Sequence, residues 1–404
     1  MTASRAKRAV WALIAAVGVA GAAAVARAEA PISLTPRSSA PLTPTVPFES
    51  FEAVPAPRVE RPAPSTGGGG IRVDALKPLD PAAAGLLDLQ RGGFGDEMWS
   101  GSRLAVVQRL MPGLPAAAPS HAMRALMQRL LLSQAAVPEG KGAGPSLIRL
   151  RVERLFAMGA VPDMLRLLDA LPSTSVPAEL LRFKIEGLLL EGDGPGACAE
   201  SARLGRGADG FAGKLRVYCR LIADRSNEAA LGLDMLREQG HFDPAFFAVA
   251  ESVITPPGAP GLDSLPDPSP LQLAMLRLAG QALPADAARS AHPAVLKAIA
   301  ASTVTPIEVR LAAAERAEAI GALPTEDLRK LYAATTFTER QAKGSLDDGG
   351  VRGRALLFRA ALGQSTPAAL AEVAAKALHL AADGGGFAAA ARVYQPMLAR
   401  LRPE

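Results

Sequence analysis

Three turns recur at nearly constant spacing between Ser146 and Gly240, and that spacing constrains the fold more than any other feature of the chain. The first lies in Phe156-Ala157-Met158-Gly159-Ala160-Val161-Pro162-Asp163-Met164-Leu165. The second is Leu189-Leu190-Glu191-Gly192-Asp193-Gly194-Pro195-Gly196-Ala197-Cys198, and the third Leu221-Ile222-Ala223-Asp224-Arg225-Ser226-Asn227-Glu228-Ala229-Ala230. Phe156 and Leu189 are 33 residues apart, Leu189 and Leu221 32. In each unit an apolar helix stops near Gly or Asp, a short polar turn follows, and a second apolar helix starts near Pro or Asn, where backbone chemistry tolerates these residues best. A period of this length predicts a helical solenoid, in which each hairpin buries its apolar face only against its neighbours.

By period and turn placement the units resemble the tetratricopeptide-like class, over roughly a quarter of the chain. The aromatic and glycine consensus inside those helices is largely missing, so the resemblance implies an architecture and brings no binding residues with it. The predicted fold class is all-α, a helix-turn-helix repeat solenoid preceded by a signal peptide and a disordered Pro-rich segment.

The start of the chain predicts its compartment. Arg5, Lys7 and Arg8 precede an apolar run from Ala9 to Val25, which ends in Ala26-Arg27-Ala28 before Glu29. A basic stretch, a short apolar run and an Ala-x-Ala site predict a secretory signal peptide cleaved between Ala28 and Glu29. An uncleaved anchor needs about 20 apolar residues; this run is shorter and rich in Ala and Gly, so no stable membrane span is expected after cleavage. Removing Arg5, Lys7, Arg8 and Arg27 leaves 40 basic residues against 39 acidic ones. A balance this even gives no support for nucleic-acid binding.

Residues 29–73, dense in Pro, Ser and Thr and closed by Gly67 to Gly70, read as a disordered linker, because they bury too little apolar surface to offset their ordering entropy. They serve either as a spacer or docking peptide, or as a lead-in without a partner. Beyond Asp74 the punctuation by Pro and Gly predicts sixteen helices between 102 and 401. Ser269-Pro270-Leu271-Gln272 and Thr305-Pro306-Ile307-Glu308 read as N-caps followed by Pro at the first turn and a return partner. Thr366-Pro367 reads as the same device without the return partner. Stops are expected at Gly159, Gly240, Gly321 and Gly384 to Gly386. The run from Pro256 to Pro270, with six prolines, marks the expected break. It gives an N-terminal helical lobe at 74–255, a Pro-rich hinge at 256–269 and a C-terminal lobe at 270–404.

Cys198 and Cys219 fall on adjacent predicted antiparallel helices; in an exported chain a disulfide is the natural reading, the alternative being two buried thiols. Catalytic, cofactor and metal residues are not predicted. His121, His241, His292 and His379 are isolated from one another, whereas a metal site wants two or more on one face, and there is no nucleophile elbow, Walker sequence or dinucleotide fingerprint. Glu251-Ser252 resembles the Glu-Ser pair around the catalytic acid of soluble lytic transglycosylases, which implies an envelope hydrolase acting on peptidoglycan. That family's downstream Gly-Leu-Met-Gln element is absent. The loop Phe94 to Ser102 carries Trp99 and reads either as a recognition loop or as an aromatic cap over the first repeat. With the signal peptide, the Pro-rich lead and the Ala/Leu helical array, it resembles a group of exported Gram-negative proteins labelled antifreeze-glycopeptide-like. The functional expectation is a periplasmic or secreted, non-enzymatic scaffold that binds another cell-envelope protein or peptide. The alternatives are the envelope hydrolase and a structural spacer with no specific partner.

Overall fold

The computed structural model describes residues 80–171, 176–205, 210–255, 261–336, 338 and 349–401. The expected signal peptide, its cleavage point between Ala28 and Glu29, and the Pro-rich linker lie outside these residues, as do 256–260 of the expected hinge. The described residues belong to one compact unit, Asp74–Glu404.

Among the described residues there are sixteen α-helices and no β-strand. Helices α1 (Leu104–Leu110) and α2 (His121–Leu132) lead into three hairpins: α3 (Leu147–Ala157) with α4 (Val161–Asp169), α5 (Ala178–Glu191) with α6 (Gly194–Ser201), and α7 (Phe211–Ile222) with α8 (Ser226–Glu238). Then come α9 (Pro244–Ile254), α10 (Pro270–Leu278), α11 (Pro293–Ala301), α12 (Ile307–Ala319), α13 (Thr325–Ala334), α14 (Val351–Leu362), α15 (Pro367–Asp383) and α16 (Phe387–Ala399).

The recurring turn has one geometry. Gly159, Gly192 and Asp224 occupy the same place in the three hairpins, and all three take left-handed backbone, with φ of 72°, 86° and 56°. In each, two amides bond back into the helix just ended: Gly159 N–H to Phe156 O and Ala160 N–H to Leu155 O, then Gly192 to Leu189 and Asp193 to Leu188, then Asp224 to Leu221 and Arg225 to Arg220. The left-handed residue lets the chain reverse while it satisfies carbonyls that the helix end leaves open.

The helix starts are mostly those read from the sequence. Ser269 and Gln272 form a reciprocal capping box at α10, and Thr366 accepts from Ala369 N–H at α15. Thr305 departs from its expected role. Helix α12 begins with Pro306 at the cap position, and the Thr305 hydroxyl, buried, accepts from Leu283 N–H at 3.3 Å. A buried amide with no helical partner outweighs a cap that solvent would satisfy anyway.

Packing departs from a simple row of hairpins. Helices α3, α5 and α7 each touch their own hairpin partner, yet α10 also packs along α5 and α7, and α11 along α3 and α5. Contacts form at the turns themselves: Arg277 on α10 donates to Leu189 O at 3.1 Å, and a Cβ added at Gly159 would stand 2.9 Å from Ala294 N at the start of α11. One face of the first helices is therefore covered by the chain's own later helices.

The buried apolar side chains form two clusters, and they part within α11 and α12, not at the Pro-rich stretch 256–269. The first runs from Val107 to Ala322 and includes α10 and most of α11; the second joins Ala300, Leu311 and Ala314 to α13–α16. Val309, Ala313 and Ala317, spaced by one turn, face the first cluster, while Leu311 and Ala314 face the second. Small Ala side chains around α12 let one helix serve as a wall for both. Proline ends a helix without requiring that packing stop with it.

Candidate functional site

Cys198 on α6 and Cys219 on α7 are joined by a disulfide, with Cα atoms 5.6 Å apart. It staples the second hairpin to the third. Glu251 sits on the exposed face of α9, 3.0 Å from an Arg237 nitrogen, and Arg237 also holds Asp234 at 2.8 Å. This is a surface ion-pair group, not the enclosed carboxylate pair of a glycosidase. The histidines stay apart. His121 Nε2 meets Glu318 O at 3.1 Å, His292 approaches Asp267 at 3.5 Å, His241 packs beside Gly210, and His379 is exposed. Among the described residues no three His, Cys, Asp or Glu side chains converge as metal ligands, and no helix is long and apolar enough to cross a membrane.

The loop carrying Trp99 is held against the first cluster. Phe94 N–H bonds Ser133 Oγ at 3.0 Å, the Arg129 guanidinium lies 4.4 Å from the Phe94 ring centroid, and Ala136 N–H bonds Asp96 O at 3.1 Å. Trp99 itself is half-buried on that cluster. Beneath this end of the molecule, Arg151 on α3 is buried with backbone carbonyls as its hydrogen-bond acceptors: Leu131 O at 2.7 Å, Ser133 O at 3.1 Å, Ala84 O at 2.6 Å and Ala82 O at 3.1 Å. Two of these close the C-terminal end of α2, where carbonyl dipoles favour a cation. Burial lowers the Arg151 pKa to about 10, and the four carbonyls keep the ion in place.

Next to Trp99 the surface opens into an apolar groove of about 560 Å³ between α1 and α2, lined by Trp99, Val106, Leu110, Leu114 and Leu130 among others. Helix α1 is apolar on two faces. Val107 and, just past its end, Met111 point into the core, while Val106 and Leu110 remain 40% and 63% exposed. Helix α2 repeats the arrangement: Met127 and Leu131 are buried, and Met123 and Leu126, each 49% exposed, extend the strip from Leu130 along its outer side. Arg103 stands at the rim. The groove can take an apolar side-chain row from another molecule.

Sequence reading singled out Trp99 but not the groove beside it. The available signal was the unbroken run Leu104-Ala105-Val106-Val107 with Leu110-Met111, which is too apolar for a helix with one buried face. The buried ionic ties carried no local signal at all, since their partners lie far apart in the chain: Arg392 clasps Glu318 with bonds of 2.8 and 2.9 Å, and Arg354 and the Tyr332 hydroxyl meet on Glu315 at 2.9 and 2.6 Å.

No protein-family model, curated protein or solved structure matches this chain.

Proposed function

We propose that this protein is a non-enzymatic helical-repeat scaffold of the cell envelope, exported to the periplasm or beyond, and that it binds an apolar segment of another envelope protein in the groove between α1 and α2. The observation that carries the reading is the pairing of that groove with the covering of α3, α5 and α7 by α10 and α11. Helical arrays generally bind along the face lined by their first helices. Here part of that face packs against the chain itself, and the apolar strip of Val106, Leu110, Met123 and Leu126 is left at the end of the array. Exposed apolar patches rimmed by charge mark interaction sites. The disulfide supports an oxidising compartment, and the basic and apolar start of the sequence supports export.

The test is site-specific photo-crosslinking of the mature protein in the producing cells. A crosslinker at Leu110 or Leu126 is expected to give a discrete adduct with one envelope protein, and one at Leu231, equally exposed on α8, is expected not to. Leu110→Asp with Leu126→Asp should abolish that adduct while leaving the thermal unfolding unchanged. Equal labelling from Leu231, or no adduct from either groove position, would remove the reading and leave a structural spacer.

A further inference from the structure

A second cavity, of about 410 Å³, opens between α2, the α3–α4 turn, α11 and the turn that follows α12. Arg124 on α2 and Lys297 on α11 both reach its wall, and both are anchored on carbonyls of the turn just past the end of α3: Arg124 donates to Met158 O, and Lys297 Nζ to Gly159 O at 3.1 Å. Arg124 also donates to Ala116 O at 3.4 Å. Among the described residues neither cation has a carboxylate within ion-pair distance. The carboxylate in the lining, Asp163, is bound by Arg166 and Gln128. Two cations therefore share one cavity with one acid that is already engaged, and the wall keeps a net positive charge. Burial of like charges side by side is unfavourable unless an anion completes the site. Burial also lowers the pKa of both groups; at Lys297 the neighbouring Arg124 adds to the effect, and Glu191, Asp163 and Asp327 partly counter it.

The remaining wall fixes what kind of anion fits. Ala125, Ala160, Pro162 and Leu323 give it an apolar lining, and Gly159 O takes one of the three donors of the Lys297 ammonium, leaving two for a ligand. The two spare Lys297 donors, the guanidinium of Arg124 beside them and one unit of excess charge in the lining match a carboxylate. A phosphate dianion carries twice that charge, and Asp163 would repel it. We infer that this cavity binds a monocarboxylate with a small apolar body, either the C-terminal residue of a peptide or a free organic acid. The inference does not depend on what occupies the α1–α2 groove.

Calorimetry on the mature chain tests it with N-acetyl-L-alanine, N-acetyl-L-alaninamide, isovalerate and inorganic phosphate. One or both acids are expected to bind saturably, with the amide and phosphate at least tenfold weaker, as loss of one charge-assisted contact predicts. Preference for N-acetylalanine identifies a peptide terminus, and preference for isovalerate a free acid. Lys297→Met should weaken the preferred acid at least tenfold. Ala125→Glu, a substitution at an exposed position that brings a competing carboxylate to the rim, should do the same without touching the core. Melting curves of both variants confirm that they fold. Equal affinity for acid and amide, tighter binding of phosphate, no saturable heat from either acid up to about 10 mM, a level near the weakest binding of interest, or unchanged acid binding in a folded Ala125→Glu variant would each overturn the assignment.

Discussion

At the scale of single residues, the repeated turn sets up a direct comparison. Gly159, Gly192 and Asp224 share a backbone conformation that costs an L side chain about 1–2 kcal/mol. Asp224 is the one non-glycine residue with positive φ among the described residues, so Asp224→Gly should raise stability by about 0.5–1 kcal/mol. Gly192→Ala should cost about 1–2 kcal/mol, since its new methyl would meet the movable Arg277 guanidinium at 3.3 Å. Gly159→Ala should cost more, because there the methyl meets the α11 backbone, which cannot swing away. Urea unfolding of the three variants checks both the sign and the order. Arg151 makes a different case: replacing it with Met leaves four carbonyls without their shared donor, for an expected loss of about 3 kcal/mol or more.

At the scale of elements, two ties hold neighbouring pieces together. The Cys198–Cys219 bond closes a loop of 21 residues between α6 and α7, which in the chain-entropy model stabilises the fold by about 3 kcal/mol. Reduction should lower the urea midpoint correspondingly without changing the helical circular-dichroism signal at zero denaturant. The second tie is Asp286, in the short 3-10 turn between α10 and α11. Its carboxylate accepts from Leu265 N–H and the Ser264 hydroxyl, which together hold its pKa below the ordinary value of 3.8. A lowered acid contributes stability that is fully present above its unfolded pKa and is lost as pH falls through its folded one. The wild type should therefore lose stability more steeply than Asp286→Asn below about pH 4, and the two slopes should agree above pH 5, as denaturant titrations at stepped pH would measure.

At the scale of the whole molecule, α12 is the shared wall between the two apolar clusters, and Glu318 at its end is the ionic link. Its carboxylate is fully buried, clasped by Arg392 from α16 and bonded by Thr325 at the start of α13. Glu318→Gln removes the charge and leaves Arg392 unmatched, for an expected loss of about 3–5 kcal/mol. The loss should be regional. Hydrogen exchange should quicken in α13 and α16 and stay near wild type in α3 to α8, since the latter pack in the other cluster. Uniform quickening would mean that the two clusters unfold as one unit.

What the sequence determined by itself is local: the all-helical character, the helix ends at Gly159, Gly240 and Gly321, the caps at Ser269 and Thr366, the in-register turns, and the placing of Cys198 and Cys219 on adjacent helices. These features rest on short-range periodicity and on residues whose backbone preferences act within a few positions. Tertiary structure decided the rest. Whether α10 and α11 fold back over α3, α5 and α7 depends on contacts such as Arg277 with Leu189, 88 residues apart, and nothing in either local stretch encodes the other. The same distance hid the clasp of Arg392 on Glu318 and the meeting of Lys297 with Arg124. It also moved the division between the clusters from the prolines of 256–269 to α12, because a core is partitioned by which faces meet, and the chain can turn sharply without leaving the core it has been building.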